Sequence, residues 1–428
     1  MDHSPAYILI IGGSLIVILS YFFNIISKKT NIPSVLMLLS LGILIQVAML
    51  IAGYKNLDKN AILSIGLETL GVVGLIMIVL EAALELKLKK EKWPIIWKSL
   101  TVAFLSLISC AFLIAFILKA FITMDWFTAL LYATPISIMS SAIVIPSVVN
   151  LEEKKKEFMI YESTFSDILG ITFFYAVLGS VSASSGAEIG LSVFKNIFFT
   201  ILIAVLVGYG LVLVLQNLKS EIKLFLLIAI LLLIYEVSKM LDLSSLLIIL
   251  FFGLILNNRH IFFFSVLKKL IKNDVLDEVY KNFRMVTIET SFVVRTFFFV
   301  IFGIAISLAS LFSIRVIVIS VSALAVLLGL RFLLIKLFFN KEAFPLTFIA
   351  PRGLITILLF YQIPHDYAIP EFKPGIILFI ILTTCVLMAW SIIVNAKREK
   401  QAAMAVTAGK DGTTTEGVIS PDEAGDTH

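Results

Sequence analysis

At 428 residues, 60% hydrophobic with a mean hydropathy of +1.06 and 15% charged, the chain falls outside the range of soluble globular domains and among polytopic helical membrane proteins. A net charge of +5 marks no nucleic-acid surface, because the lysines fall in the connections between apolar runs. Cys110 and Cys385, the two cysteines, both lie within apolar runs and read as buried free thiols, which excludes a disulfide framework.

A bilayer core offers backbone groups no water, so apolar runs of about 20 residues select helices. Spans are expected at roughly 7–27, 33–53, 62–86, 97–122, 126–149, 158–184, 189–216, 222–240, 243–257, 284–310, 313–338, 344–364 and 374–395, about thirteen in all. The first has no basic leader and no small-residue cleavage site, and it reads as a retained span. The run 243–257 is short and reads as tilted or partly re-entrant.

Alternate connections collect the basic residues. One side takes Lys28 and Lys29, Lys87 to Lys98, Lys154 to Lys156, the 259–284 linker and Lys397 to Lys400. That side is expected to be cytoplasmic, with the amino terminus outside the cell (plasma or inner) membrane and the carboxyl terminus inside. The linker sets Ile261, Phe262, Val266, Leu267 and Leu270 beside Lys268, Lys269 and Lys272, the pattern of an interfacial amphipathic helix. Residues 396–428 turn polar without apolar periodicity and are expected to form a disordered cytoplasmic tail.

Two spans carry helix breakers. The fifth contains Pro135, Ser140-Ser141 and Pro146; the twelfth contains Pro351-Arg352-Gly353. They are seven spans apart, an odd offset that reverses direction through the membrane, and paired interruptions in oppositely oriented halves point to a transporter's midplane site. Between the breaks lies Tyr161-Glu162-Ser163-Thr164-Phe165-Ser166-Asp167, with two carboxylates inside an apolar span. Such groups face a bundle interior or a water-filled path. On a helix Ser163, Ser166 and Asp167 share a face as an oxygen-lined cation site, and Glu162 points roughly 140° away. At about 1.5 Å per residue from the basic end of each span, Asp167, Ser141 and Arg352 reach about 12 to 13 Å, Arg331 roughly 10 Å and Glu162 about 6 Å.

Arg331 is the natural partner for Glu162, as a structural ion pair joining two spans; direct ion ligation by Glu162 is the other reading. Arg295 has no evident partner, Glu289 lying on nearly the opposite side of the same helix, and it reads as a structural or interface residue. Glu85 lies near the cytoplasmic lysines and reads as solvated, while Glu81 sits one turn deeper and is a candidate for an entry funnel.

These residues resemble the monovalent cation/proton antiporter superfamily, including its sodium/proton exchangers and potassium-efflux-like antiporters, over about residues 7 to 395. The resemblance is carried by Ile32-Pro33-Ser34-Val35, Ser140-Ser141-Ala142-Ile143-Val144, Glu162 with Ser166-Asp167, Phe297-Phe298-Phe299-Val300-Ile301-Phe302-Gly303, Arg331 and Pro351-Arg352-Gly353-Leu354. It implies an all-α polytopic membrane protein with an inverted repeat, two crossed broken helices and a sodium/proton antiporter-like fold. It further implies scaffold and dimerisation helices in 1–96 and 217–312, a moving core in 97–188 and 313–395, and a linking helix at 189–216. Asp167 would bind either H+ or a cation, Na+ or K+, with Ser166, Ser163, Ser140 and Ser141 as neighbours and Arg352 compensating charge at the break. The implied partners are the two ions, the bilayer and a second copy, with no cofactor, no metal beyond the transported cation and no nucleic acid. Where many relatives carry Asn or Asp before the key aspartate, Ser166 stands here, and Ser140-Ser141 stands where some have Thr-Asp in the first break. With one carboxylate instead of two adjacent ones, and Arg rather than Lys at position 331, the resemblance implies electroneutral one-for-one exchange.

An enzyme is not expected: His3, His260, His365 and His428 all lie outside the spans, so neither a Ser–His pair nor a histidine metal site can form in the bilayer. A cation channel or a sodium-coupled solute carrier remains as the alternative. Proton flux that reverses with a cation gradient, without any solute requirement, separates exchange from both.

Overall fold

In a computed structural model, described for all residues except 1–4, 31, 54–60, 181–185, 217–222, 241–244, 264–272, 306–307, 340–342 and 412–428, every regular element is helical. The helices are α1 (Pro5–Thr30), α2 (Ser34–Ile51), α3 (Ala61–Glu85), α4 (Trp93–Phe121), α5 (Trp126–Ser137), α6 (Ser141–Ser147), α7 (Glu153–Leu178) and α8 (Gly186–Leu215). They continue as α9 (Lys223–Met240), α10 (Ser245–Asn257), α11 (Arg259–Phe262), α12 (Asn273–Ala305), α13 (Ile314–Phe339), α14 (Ala343–Leu346), α15 (Leu354–Tyr361) and α16 (Gly375–Asp411). Among the described residues, seven helices are long and apolar enough to cross a membrane, and three shorter apolar helices accompany them. The fifth and twelfth expected spans each fall on two half-helices, α5 with α6 and α14 with α15.

Packing sorts the helices into two sets. In one, α12 lies against α2 and α3, α10 against α3 and α8, and α1 against α2 and α12; in the other, α4 packs on α5, α7 and α13, and α13 on α16. The first set is drawn together where α2 crosses α12. A Cβ on Gly303 would stand 2.8 Å from the carbonyl oxygen of Leu39 and 3.0 Å from Cα of Gly42, so only small residues permit this backbone approach. Helix α10 is the short span, and it lies deep in the first set with nearly every side chain from Ser245 to Leu256 buried. A helix surrounded by protein needs no full hydrocarbon length.

Local chemistry starts and stops these helices where the second set needs it. The Asp125 carboxylate accepts from the N–H groups of Phe127 and Thr128 at 3.0 and 3.2 Å, satisfying two of the free donors that open α5. The buried amide of Asn258 accepts from the N–H of Leu88 at 2.7 Å and donates to the carbonyl of Leu86 at 2.8 Å, and the Tyr280 hydroxyl donates to the carbonyl of Leu84 at 2.9 Å. The end of α3 is thereby fixed before the chain enters α4.

One expectation is corrected. The segment 396–411 is not an irregular tail: α16 runs on to Asp411, because an Ala- and Lys-rich sequence propagates a helix already nucleated in the span. Residues 412–428 lie outside the described residues. The amphipathic linker expected at 259–284 falls partly outside the described residues. α11 is four residues long, the Val266, Leu267 and Leu270 stripe with its lysines lies outside the described residues, and 273–284 is already the first part of α12.

Candidate functional site

Helix α7 is the polar element of an apolar bundle. Glu162, Ser163, Thr164, Phe165, Ser166 and Asp167 are all buried, a run that only a surrounding of other helices allows. Those neighbours include α4, α5, α6 and α8. Burial on every side removes the lipid-facing stripe that a surface helix would need, so the sequence is free to place hydroxyls and carboxylates all round.

The two breaks meet beside α7. Pro135 removes a backbone donor in the last turn of α5, and the chain leaves the helix as extended backbone from Ile138 to Ser140 before α6 begins at Ser141. In the second break α14 ends at Leu346 and α15 starts only at Leu354. The extended segments join directly, the N–H of Ser140 donating to the carbonyl of Pro351 at 2.9 Å. Gly353 makes the crossing possible. A Cβ there would fall 2.6 Å from Cδ1 of Ile143 and 2.8 Å from Oγ of Ser140. Gly353→Ala is expected to lose about 1 to 3 kcal/mol through overpacking; an unshifted melting curve would mean that the crossing is loose.

Asp167 faces this crossing. Its Oδ2 accepts from the Ser141 N–H at 3.1 Å and from the Ser141 hydroxyl, while Oδ1 is buried with no protein hydrogen-bond partner. Oγ of Ser166 accepts from the Met139 N–H at 2.9 Å, which ties α7 to the extended segment. Oγ of Ser140 is buried without a partner, as is Oγ1 of Thr356 in the first turn of α15. Ser163 is not gathered in: its hydroxyl donates back to the carbonyl of Ile160 at 3.2 Å. Of the five residues expected as ion neighbours, Asp167, Ser166, Ser140 and Ser141 converge on the break and Ser163 stays on its own helix.

Each half-helix that ends at the crossing terminates on a guanidinium. Arg352 donates through Nε to the carbonyl of Ile136 at 3.0 Å and through Nη2 to that of Ser137 at 3.3 Å, and through Nη1 to Ala350 at 2.6 Å. Its charge therefore sits at the carbonyl end of α5, the negative pole of that half-helix. Thr384 of α16 accepts the Arg352 backbone N–H at 3.0 Å. Arg331 behaves likewise at α14, donating through Nε to the carbonyl of Leu346 at 3.0 Å. Its two other nitrogens form a paired contact with Glu162, Nη2 to Oε2 at 3.0 Å, and both residues are buried.

Sequence reasoning missed three features. Thr384 gave no signal, being one threonine in an apolar span. Gly170, one turn from Asp167, leaves no room for a Cβ against the Ile138 side chain; a glycine that close to a buried carboxylate was the available hint. Arg295 does have a partner, Glu81, with Nη2 and Oε1 3.8 Å apart between α12 and α3. Both lie on a cavity of about 380 Å³ whose walls run from Lys28, Glu85 and Val149, on the lysine-rich side, down to Ser141. Ser141, on that wall, is the residue whose N–H and hydroxyl hold the Asp167 carboxylate. Among the described residues no group of three or more His, Cys, Asp or Glu side chains is placed to hold a metal ion.

Comparison with known proteins gives the same architecture. The sodium proton antiporter MjNhaP1 from Methanocaldococcus jannaschii, solved at pH 8, superposes with a TM-score of 0.66 at 20% identity over 92% of this chain and 100% of its own. An electron-microscopy structure of the same antiporter gives 0.60 at 19% identity, over 98% of this chain and 100% of its own. No curated protein matches the sequence. The family described as "Sodium/hydrogen exchanger, transmembrane" matches residues 14–394, a stretch that holds both interrupted helices and all of α7, and the chain belongs to that family.

Proposed function

We propose that the chain is a secondary active antiporter that exchanges one monovalent cation, Na+ or K+, for one H+, with Asp167 holding one or the other in turn. The observation that carries this reading is the Asp167 carboxylate itself. Ser141, which also lines the cavity, occupies one oxygen, and the other is buried without a protein partner where two interrupted helices cross. A buried carboxylate needs one positive guest, and a proton and a metal cation compete for the same charge.

Electroneutrality follows from the charge balance. Glu162 and Arg331 cancel each other, and Arg352 keeps its charge in both loaded states against the carbonyls of α5. The loaded site then carries the same charge with either ion, so a full cycle moves no net charge. In this reading the set containing α4 to α7 and α13 to α16 moves against α1 to α3, α9, α10 and α12, which hold the second copy. The cavity wall includes Lys28 and Glu85, at the ends of α1 and α3 next to the lysine-rich connections, a face taken as the cytoplasmic side of the cell membrane.

The test is the purified protein in liposomes with an internal pH dye, challenged in turn with Na+, K+ and Li+. A dye response that reverses with the cation gradient, and is indifferent to a clamped membrane potential, is expected. A current that follows the potential, or a response that needs a co-solute, would sink the proposal in favour of a channel or a solute carrier.

A further inference from the structure

One charged pair on the cavity wall plays no part in the exchange as proposed. Glu81 and Arg295 meet at 3.8 Å, and both are mostly shielded, their side chains 16% and 17% exposed. They stand on α3 and α12, which pack on each other, while Ser141 enters the same cavity from α6. The other charged groups on the walls are Glu85, which Arg284 approaches to 3.4 Å, and Lys28. Two carboxylates thus share a cavity wall with Ser141, the partner of Asp167, and each has a guanidinium beside it.

A shielded carboxylate next to a cation's path is itself a cation trap, since partial desolvation strengthens its attraction. A guanidinium removes that attraction at every working pH, because arginine does not deprotonate in proteins. Resting on the antiport reading above, we propose that Arg295 is a positioning residue that sets the apparent cation affinity of transport: it neutralises Glu81, so cations pass the cavity without being held there and Asp167 alone sets the concentration range of transport. Arg295 touches no ion in this scheme. It acts through Glu81.

Exchange rate against Na+ concentration, with K+ in parallel, tests this in liposomes carrying wild type, Arg295→Gln, Glu81→Gln and the double variant. An unpaired charge in a walled cleft changes local counter-ion concentration on the order of tenfold. Arg295→Gln should therefore lower the half-saturating concentration about threefold to tenfold. Glu81→Gln, which bares Arg295, should raise it by a similar factor, and the double variant should return to about twofold of wild type. Arg295→Lys keeps the charge and should stay near wild type. A strap that only fastens α3 to α12 predicts otherwise: lower melting temperatures in both single variants and the double, with half-saturation unmoved. That result overturns the inference.

Cation-dependent melting of the same four proteins gives a readout independent of transport, because a ligand that binds the folded state raises its melting temperature. If wild type shows no exchange but its melting midpoint against Na+ or K+ still moves as above in the variants, the antiport reading fails and the role of Arg295 stands. If no cation alters either rate or melting, both fail.

Discussion

Asp167→Asn is expected to abolish cation-driven proton movement while leaving a folded protein. The amide keeps the size and shape of the carboxyl group, and its oxygen still accepts from the N–H and hydroxyl of Ser141. What it loses is the charge that attracts a cation and the ability to exchange a proton. Removing a buried charge also removes its desolvation cost, so the melting temperature should hold or rise. Initial rates in the pH-dye assay and thermal melting of the same preparation check both halves. Cation-driven proton flux surviving in a well-folded Asp167→Asn protein would refute the assignment of the exchange site.

Glu162→Gln and Arg331→Ala should do the opposite, damaging stability before chemistry. Both partners are buried, the contact is two-pronged, and breaking such a pair leaves one charge uncompensated at a cost of about 3 to 5 kcal/mol. Arg331→Ala should be the worse of the two, because it also frees the carbonyl of Leu346 at the end of α14. Replacing both residues, as Glu162→Gln with Arg331→Met, should recover much of the loss, since no lone charge remains. Thermal melting in detergent orders the four proteins. If the single variants melt like wild type, the pair does not hold α7 to α13.

The pair also shows what a sequence can reveal about a membrane protein. Glu162 and Arg331 are 169 residues apart, yet each is too costly to bury alone, and a long guanidinium can span the difference in their depths. Arg295 looked similar and could not be matched, because its partner sits on α3 beside another carboxylate, Glu85, that faces the basic loops. Depth along one helix narrows the choice of partners; only the packing of α3 on α12 chooses. Ser163 failed for a different reason. Helical spacing put it on the Asp167 face, but a serine in a helix has a carbonyl of the preceding turn within reach, and its hydroxyl took that one.

The sequence alone was enough to establish the helical membrane class, the positions of the two interruptions and the polar run on α7, because hydropathy, proline and glycine act within a few residues of themselves. The tertiary structure decided how the interruptions are used. The bond from Ser140 to Pro351, the seat of Arg352 on the carbonyl of Ile136 at a separation of 216 residues, and the capping of α14 by Arg331 all arise between distant segments. Unwound backbone inside a membrane must find its partners in other helices. Which helices supply them is a property of the packed bundle.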